Sequence, residues 1–287
     1  MSVITGSRRE HARARRGRLA VGALAAALAA LGSAAPQALA KPVPNPEFAA
    51  FSDCPATVKG VALCVVANTT GGSFTLGNKT VPITKTLTLQ GGLTNKSQLL
   101  VPAADGNTLS QVPLTVPGGL LGIPGLEGIG GEVTATTELA GPVTVNEANL
   151  STGKGPAVIL PIKVKLDNTV LGSACYVGSE AEPINLQLIT GTTGPPSPNK
   201  PITGSPGTLT VNPTATIFKF SGNSLVDNSF SAPGAAGCGG VLSFLIDPVV
   251  DLQVGIPAAS GHNTAILNGS LAEASAKAVK QAHVLKK

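Results

Sequence analysis

The chain has 287 residues, of which 43% are hydrophobic and 12% are charged, with 35 glycines and 23 prolines. A disordered chain would contain fewer apolar and more charged residues, so this composition predicts a folded protein. Its formal charge of +5 comes from six arginines that all precede residue 19; from Lys41 onward, 14 lysines are balanced by 14 acids. A nearly neutral chain without arginine lacks the forked donors that bind phosphate and guanine, so nucleic-acid binding is not expected.

The first forty residues have the three parts of a secretory signal peptide. Arginines crowd the first 18 residues, an apolar run of 13 residues follows at 19–31, and Ala38-Leu39-Ala40 forms an A-x-A site. A membrane anchor is the alternative, but a bilayer-spanning helix needs roughly 20 apolar residues. We therefore predict cleavage near Ala40, export by the Sec or the twin-arginine route, and a secreted or cell-envelope protein without a transmembrane segment in the mature chain.

Four cysteines indicate two disulfides, because an even number in an exported chain is typical of a bridged fold. They are Cys54, Cys64, Cys175 and Cys238, and three pairings are open. We favour Cys54–Cys64 and Cys175–Cys238, since each pair lies within a stretch that has its own turn and strand signals. No C-x-x-C motif occurs and no histidine lies at ligand spacing, so neither a metal nor another cofactor is expected.

Strand patterns dominate the remainder of the chain. Residues 61–66 form a continuous apolar run, which is typical of a strand buried on both faces. Residues 162–167 alternate apolar and charged side chains, which is typical of a half-buried strand. Further strands are expected at 73–76, 80–89, 99–102, 132–139, 143–146, 184–189, 208–211, 216–220 and 241–246.

Turn signals separate these strands at intervals of about 8–12 residues. Gly77-Asn78 predicts a hairpin, residues 69–72 predict a turn, and the glycine pair at 91–92 predicts a strand end. This rhythm predicts an all-β fold, an antiparallel β-sandwich over 53–271, built as one large or two smaller β-units.

Three segments flank or interrupt the sandwich. Residues 41–52 are rich in proline and are expected to form an extended linker. Asp247 as N-cap, Pro248 at the first helical position and Gly255 after the last turn predict a short helix at 248–254. Residues 272–287 are rich in alanine and lysine and are expected to form a C-terminal helix or a frayed tail.

A long apolar segment at 113–131 is broken repeatedly by glycine and proline. It is interpreted either as a loop packed over one end of the sandwich or as a hydrophobic lid or docking loop, because exposed apolar loops of this length need a reason. The lid interpretation implies a cavity beneath it.

Several segments resemble a family of exported proteins from actinomycete-type bacteria. They are CVVANTTGGSFTLGNKTVPITKTLTLQGG (64–92), GSACYVGS (172–179), TTGPPSPNKPITGSPGTL (192–209), NSLVDNSFSAPGAAGCGG (223–240), IDPVVD (246–251) and HNTAILNGSL (262–271). The resemblance covers most of the mature chain. It implies an exported, β-rich, uncharacterised protein, and it brings neither an assigned activity nor catalytic residues.

Candidate catalytic groups are few. His262 is the one histidine of the mature chain outside the tail, and a hydrolase would need it close to Ser260 or to an acid such as Asp251. Asp247 and Asp251 are four residues apart, as a glycosidase pair on one helix face would be, but no tryptophan offers a sugar platform. We therefore expect no catalytic residues and a non-enzymatic binding or structural module of the envelope or the extracellular space, with a partner that the sequence leaves unknown. The alternatives are a binder of a small apolar ligand, with 113–131 as its lid, and a hydrolase using His262.

Overall fold

Two antiparallel β-sheets form the fold, as predicted. The structure is a computed structural model that describes residues 42–95, 97–119 and 131–286, so the predicted signal peptide at 1–40 lies outside the described residues. In chain order the strands are β1 (Val61–Leu76), β2 (Lys79–Pro82), β3 (Leu87–Thr94), β4 (Leu100–Pro102), β5 (Leu114–Thr115), β6 (Thr134–Leu139), β7 (Thr144–Val145), β8 (Val158–Asn168), β9 (Gly172–Val177), β10 (Ile184–Leu188), β11 (Thr208–Val211), β12 (Ile217–Asp227), β13 (Ala235–Ala236) and β14 (Thr264–Ser275).

Helices are short. They are α1 (Glu147–Thr152), α2 (Ser243–Val254) and α3 (Ala276–Gln281), with 3-10 turns at Pro46–Phe51 and Gly240–Leu242. Strand therefore carries most of the regular structure of the described residues, which confirms the all-β prediction.

Each sheet is organised around a long strand. In sheet A the order is β11-β12-β14-β1-β3-β4, with β2 folded back on β1 as the predicted hairpin. In sheet B the order is β13-β9-β8-β6-β5, and β7 and β10 pair with the first half of β8. The residues 42–287 form one compact unit.

The main core lies between the two sheets, and alternation along β8 shows why. Ile162, Val164 and Leu166 are buried in this core, while Lys163 and Lys165 lie on the other face of the strand. This is the predicted period-2 pattern of a strand that is buried on one side.

Strand β1 has a core on each face. Val65 packs into the main core, whereas its neighbours Cys64 and Val66 pack into a second cluster on the outer face of sheet A. The continuous apolar run at 61–66 therefore matches a strand that is buried on both sides, as expected.

The segment predicted as an extended linker, 41–52, is part of that second cluster. Pro46–Phe51 forms a 3-10 turn capped by the Asn45 side chain, and Phe48 and Phe51 are buried. The linker prediction gave weight to the prolines; burial of two aromatic side chains decides the conformation instead.

Both disulfides join as predicted, Cys54 to Cys64 and Cys175 to Cys238. The first ties the end of the N-terminal segment to β1, and the second ties β9 to the residues after β13. Such bridges persist in oxidising compartments outside the cytoplasm.

The glycine pairs act within strands rather than ending them. β1 passes through Gly71-Gly72 with a bulge, and a Cβ on Gly72 would clash with the carbonyl oxygen of Ile266. β3 likewise continues through Gly91-Gly92 to Thr94. The predicted turn at 69–72 and the predicted strand end at 91–92 are therefore wrong, because Gly72 and Gly91 permit close approach of neighbouring backbone within the sheet.

The region 240–255 differs most from the prediction. The expected strand at 241–246 is helical, α2 starts at Ser243, and Asp247 and Pro248 lie inside it rather than at its start. Gly255 ends the helix in the left-handed conformation, as predicted. In the tail, residues 272–275 complete β14 and only Ala276–Gln281 is helical, with Val279 fully buried.

Candidate ligand-binding site

A cavity of about 340 Å³ lies at one end of the main core. Sheet A contributes Phe74 and Leu76 of β1 and Val81 of β2, and α2 closes a third side. Sheet B supplies Leu114 of β5, Ala135 and Thr137 of β6, Val164 and Leu166 of β8 and Val177 of β9. Protein interiors normally leave few voids larger than a water molecule, whereas this volume equals that of roughly ten waters at about 30 Å³ each.

The wall of the cavity is apolar. Among its described residues, polar side chains are limited to Lys79, Thr137 and Gln253, and Lys79 is the charged one. This described wall holds no cysteine, histidine, serine or carboxylate. The site is therefore suited to binding an apolar molecule, because its largely hydrocarbon wall favours removal of apolar surface from water.

The cavity reaches the protein surface beside α2. Val170, in the turn between β8 and β9, and Val249 of α2 both line it, yet their exposed fractions are 49% and 54%. Residues that are both wall and surface mark the mouth, so a small molecule has an entry path.

Two aspartates hold α2 in place as the wall of the cavity. Asp247 Oδ1 accepts a 2.7 Å hydrogen bond from the Cys238 N–H, and its Oδ2 accepts from the Gly237 N–H. Asp251 Oδ1 accepts a 2.7 Å bond from the Ala235 N–H. Because residues four apart share a helix face, both carboxylates point to the same segment, β13 and the two residues after it. Their role is structural anchoring, which corrects the predicted N-cap role of Asp247.

The other end of α2 is tied to the β1–β2 hairpin. The Asn78 N–H donates to the Val254 carbonyl at 2.7 Å, and the Gly77 N–H donates to Asn263 Oδ1 at 3.0 Å. Asn263 is fully buried and donates to the Phe230 carbonyl. Asn263 was not predicted from the sequence, because a single asparagine in a turn belongs to no motif or periodicity that would indicate a buried role.

His262 is an exposed loop residue. In the part of the chain that the structure describes, its imidazole makes no hydrogen bond or ion pair, and the Ser260 hydroxyl donates to the Ser229 carbonyl instead. The structure does not bring the histidine, the serine and an acid together, so the triad needed by the hydrolase hypothesis is not assembled.

A smaller and more polar hollow of about 220 Å³ lies where β10 meets β12. Its carboxylate, Asp227, is buried and accepts hydrogen bonds from the Gln187 and Ser229 N–H groups at 2.7 and 2.8 Å. Burial raises the pKa of Asp227, and the two bonds oppose this rise. The carboxylate thus stabilises the junction of the two sheets.

The first part of the apolar segment at 113–131 and the start of the chain after it both contribute to the cavity wall. Leu114, Val116 and Gly119 lie before the gap and Val133 lies just after it, and all four line the cavity. Residues 120–130 are outside the described residues, so their predicted role as a lid stays a prediction.

No protein-family model, no curated protein and no solved structure matches the chain. The resemblance to exported actinomycete-type proteins therefore stays a prediction that rests on the segments quoted above. Among the residues described, no group of three or more histidine, cysteine or acidic side chains could hold a metal ion. No helix in those residues is both long and apolar enough to cross a membrane.

Proposed function

We propose that the protein is an exported, non-enzymatic binding protein for small apolar molecules, which occupy the cavity between the sheets and α2. The observation that carries the proposal is the 340 Å³ apolar cavity with a mouth at Val170 and Val249. Ligand pockets of about 300–1,000 Å³ with mainly apolar walls are typical of small-molecule sites. The shape of the cavity and the burial of apolar surface would select the ligand. Each methylene group of the ligand that is buried would contribute about 0.8 kcal/mol to the free energy of binding.

The isolation of His262 and the engagement of Asp247 and Asp251 in backbone hydrogen bonds support a role without catalysis. The two disulfides and the leader-like sequence before Lys41 support export. Intact-mass measurement of the protein from culture medium tests export: we expect a chain that starts at Lys41 with no free thiol. A cell-retained chain with reduced cysteines would refute it.

Binding is tested by titration of the mature protein with the fluorescent apolar probe N-phenyl-1-naphthylamine. We expect saturable binding with one site, together with a rise in unfolding temperature. A ligand at 100 times its Kd adds about 2.7 kcal/mol of stability.

Ala135→Leu should abolish probe binding, because the larger side chain projects into the cavity from β6. Ala181→Leu is the matched control, since Ala181 is exposed in the loop between β9 and β10. Circular dichroism should show that both variants are folded. Equal probe binding by wild type and a folded Ala135→Leu variant would exclude the cavity as the site.

A further inference from the structure

The exposed side of α2 and the 3-10 turn before it is strongly apolar. Six of the thirteen large hydrophobic side chains that are exposed in the described structure fall within this one segment: Val241, Leu242, Phe244, Leu245, Val249 and Leu252. Val241 is 94% exposed, Leu252 is 80% and Phe244 is 71%. Spacings of three and four residues place them on adjoining stripes of one surface, which we call the α2 face. An exposed apolar patch of this kind marks an interaction site.

The α2 face carries no charge. The two acidic residues of the helix, Asp247 and Asp251, are turned toward residues 235–238, which comprise β13 and the two residues after it, and accept hydrogen bonds from their N–H groups. The sequence has no lysine or arginine between Lys219 and Lys277. Among the described residues, the side chains of the α2 face therefore provide no charge pattern that fixes the orientation of a protein partner or attracts an anionic surface; Lys79 of β2 is the charged residue that lines the adjoining cavity.

The α2 face is continuous with the cavity. Ile246, Val250 and Val254 line the cavity from the inner side of the same helix, and Val249 belongs to both surfaces. A molecule leaving through the mouth at Val170 and Val249 would thus emerge at the edge of the apolar face.

We propose that the α2 face docks on a lipid surface with electrically neutral head groups and brings the cavity mouth against the acyl chains. A helix suits this role because its backbone hydrogen bonds are internally satisfied. An uncharged apolar face matches uncharged lipid, and direct contact lets an apolar ligand pass between hydrocarbon and cavity without crossing water. The transfer rests on the proposed ligand binding, whereas docking itself is measurable separately.

The experiment is flotation of the mature protein with phosphatidylcholine vesicles. We expect binding that is unchanged when phosphatidylglycerol replaces part of the lipid and when salt rises to about 0.5 M, since screening acts only on charge. The triple variant Val241→Ser, Phe244→Ser, Leu252→Ser should bind about tenfold or more weakly, because it loses most of the inserted apolar area.

The matched control carries the same substitution at three exposed apolar residues of sheet A, Leu209→Ser, Val211→Ser and Phe218→Ser. It should bind vesicles as the wild type does. Binding that requires anionic lipid and disappears in salt would overturn the proposal, because lysines would then be responsible. Absence of vesicle binding, with a dimer in sedimentation velocity that the α2 triple variant converts to monomer, would assign the face to a second copy instead.

The Ala135→Leu variant separates docking from ligand binding. It should still float with vesicles, since residue 135 lies inside the sandwich. Vesicle binding by a wild-type protein that takes up no apolar probe would refute the proposed function and leave the docking surface standing.

Discussion

Glu273 is a buried carboxyl group whose ionisation should control the pH dependence of stability. It lies on β14 between Val65 of β1 and Phe218 of β12, is 6% exposed, and its Oε1 has no hydrogen-bond partner among the described residues. Burial and, to a smaller degree, the charge of Glu147 raise the pKa of Glu273 from 4.5 to about 7. An uncharged carboxyl is therefore the favoured form inside the sandwich.

The sign of the effect follows from proton binding. Between pH 4.5 and about 7 the unfolded chain has released this proton while the folded chain keeps it, so stability falls as pH rises through this window and levels off above it. At about 1.4 kcal/mol per pKa unit, the full loss is about 3 kcal/mol. Glu273→Gln keeps the shape but cannot ionise, so it should remove this loss.

Urea unfolding at about pH 5 and about pH 8 measures the effect. We expect Glu273→Gln to be more stable than wild type at the higher pH, by up to about 3 kcal/mol, and similar to it at the lower pH. Glu182→Gln, at an exposed loop position, is the control and should follow the wild type. Parallel stability curves for wild type and Glu273→Gln would refute the assignment of the pH dependence to this residue.

Three other substitutions test the architecture. Phe51→Ala should cost about 3–5 kcal/mol in thermal or urea unfolding, because Phe51 is buried against sheet A; a cost near zero would restore the linker interpretation. Replacing Cys175 and Cys238 together by alanine should cost about 4 kcal/mol, since the bridge closes a ring with a sequence separation of 63 residues; an unchanged unfolding midpoint would mean that the ring is already ordered without it. Asp251→Ala should cost about 1–3 kcal/mol by leaving the Ala235 N–H unpaired, and it should weaken probe binding by loosening α2; unchanged probe affinity would show that the wall does not depend on this anchor.

The strand pattern of this chain was predictable because local periodicity reports burial directly. The alternation at 162–167 and the apolar run at 61–66 identified one-sided and two-sided strands, and both agree with the observed packing. Cysteine count and spacing predicted the bridges for a similar reason, since each pair lies within a segment that folds back on itself.

The errors arose where distant contacts decide a local conformation. An apolar stretch such as 241–246 fits either a buried strand or a helix, and the hydrogen bonds of Asp247 and Asp251 to residues 235–238 fix the helical form. The burial of Phe48 and Phe51 likewise depends on β1 and on α3, which lies at the other end of the described chain.

The cavity was the feature hardest to predict from the sequence. Its wall is drawn from two sheets and α2, and the apolar residues that line it follow the same patterns as those that fill the core. The segment at 113–131 gave the one useful signal, because its apolar composition without strand periodicity placed a hydrophobic element near one end of the sandwich.

The pairing of β1 with β14 has a consequence for how the chain acquires its structure. Twelve residue pairs join these two strands, the first and the last of the described chain, in the middle of sheet A. Sheet A stays split into two halves until residues 264–275 have been synthesised, since β14 is the link between β12 and β1. Sheet A therefore becomes continuous only when β14 is available, and a chain shortened before Thr264 presents an open edge of β1 and of β12 to any protease or chaperone it meets.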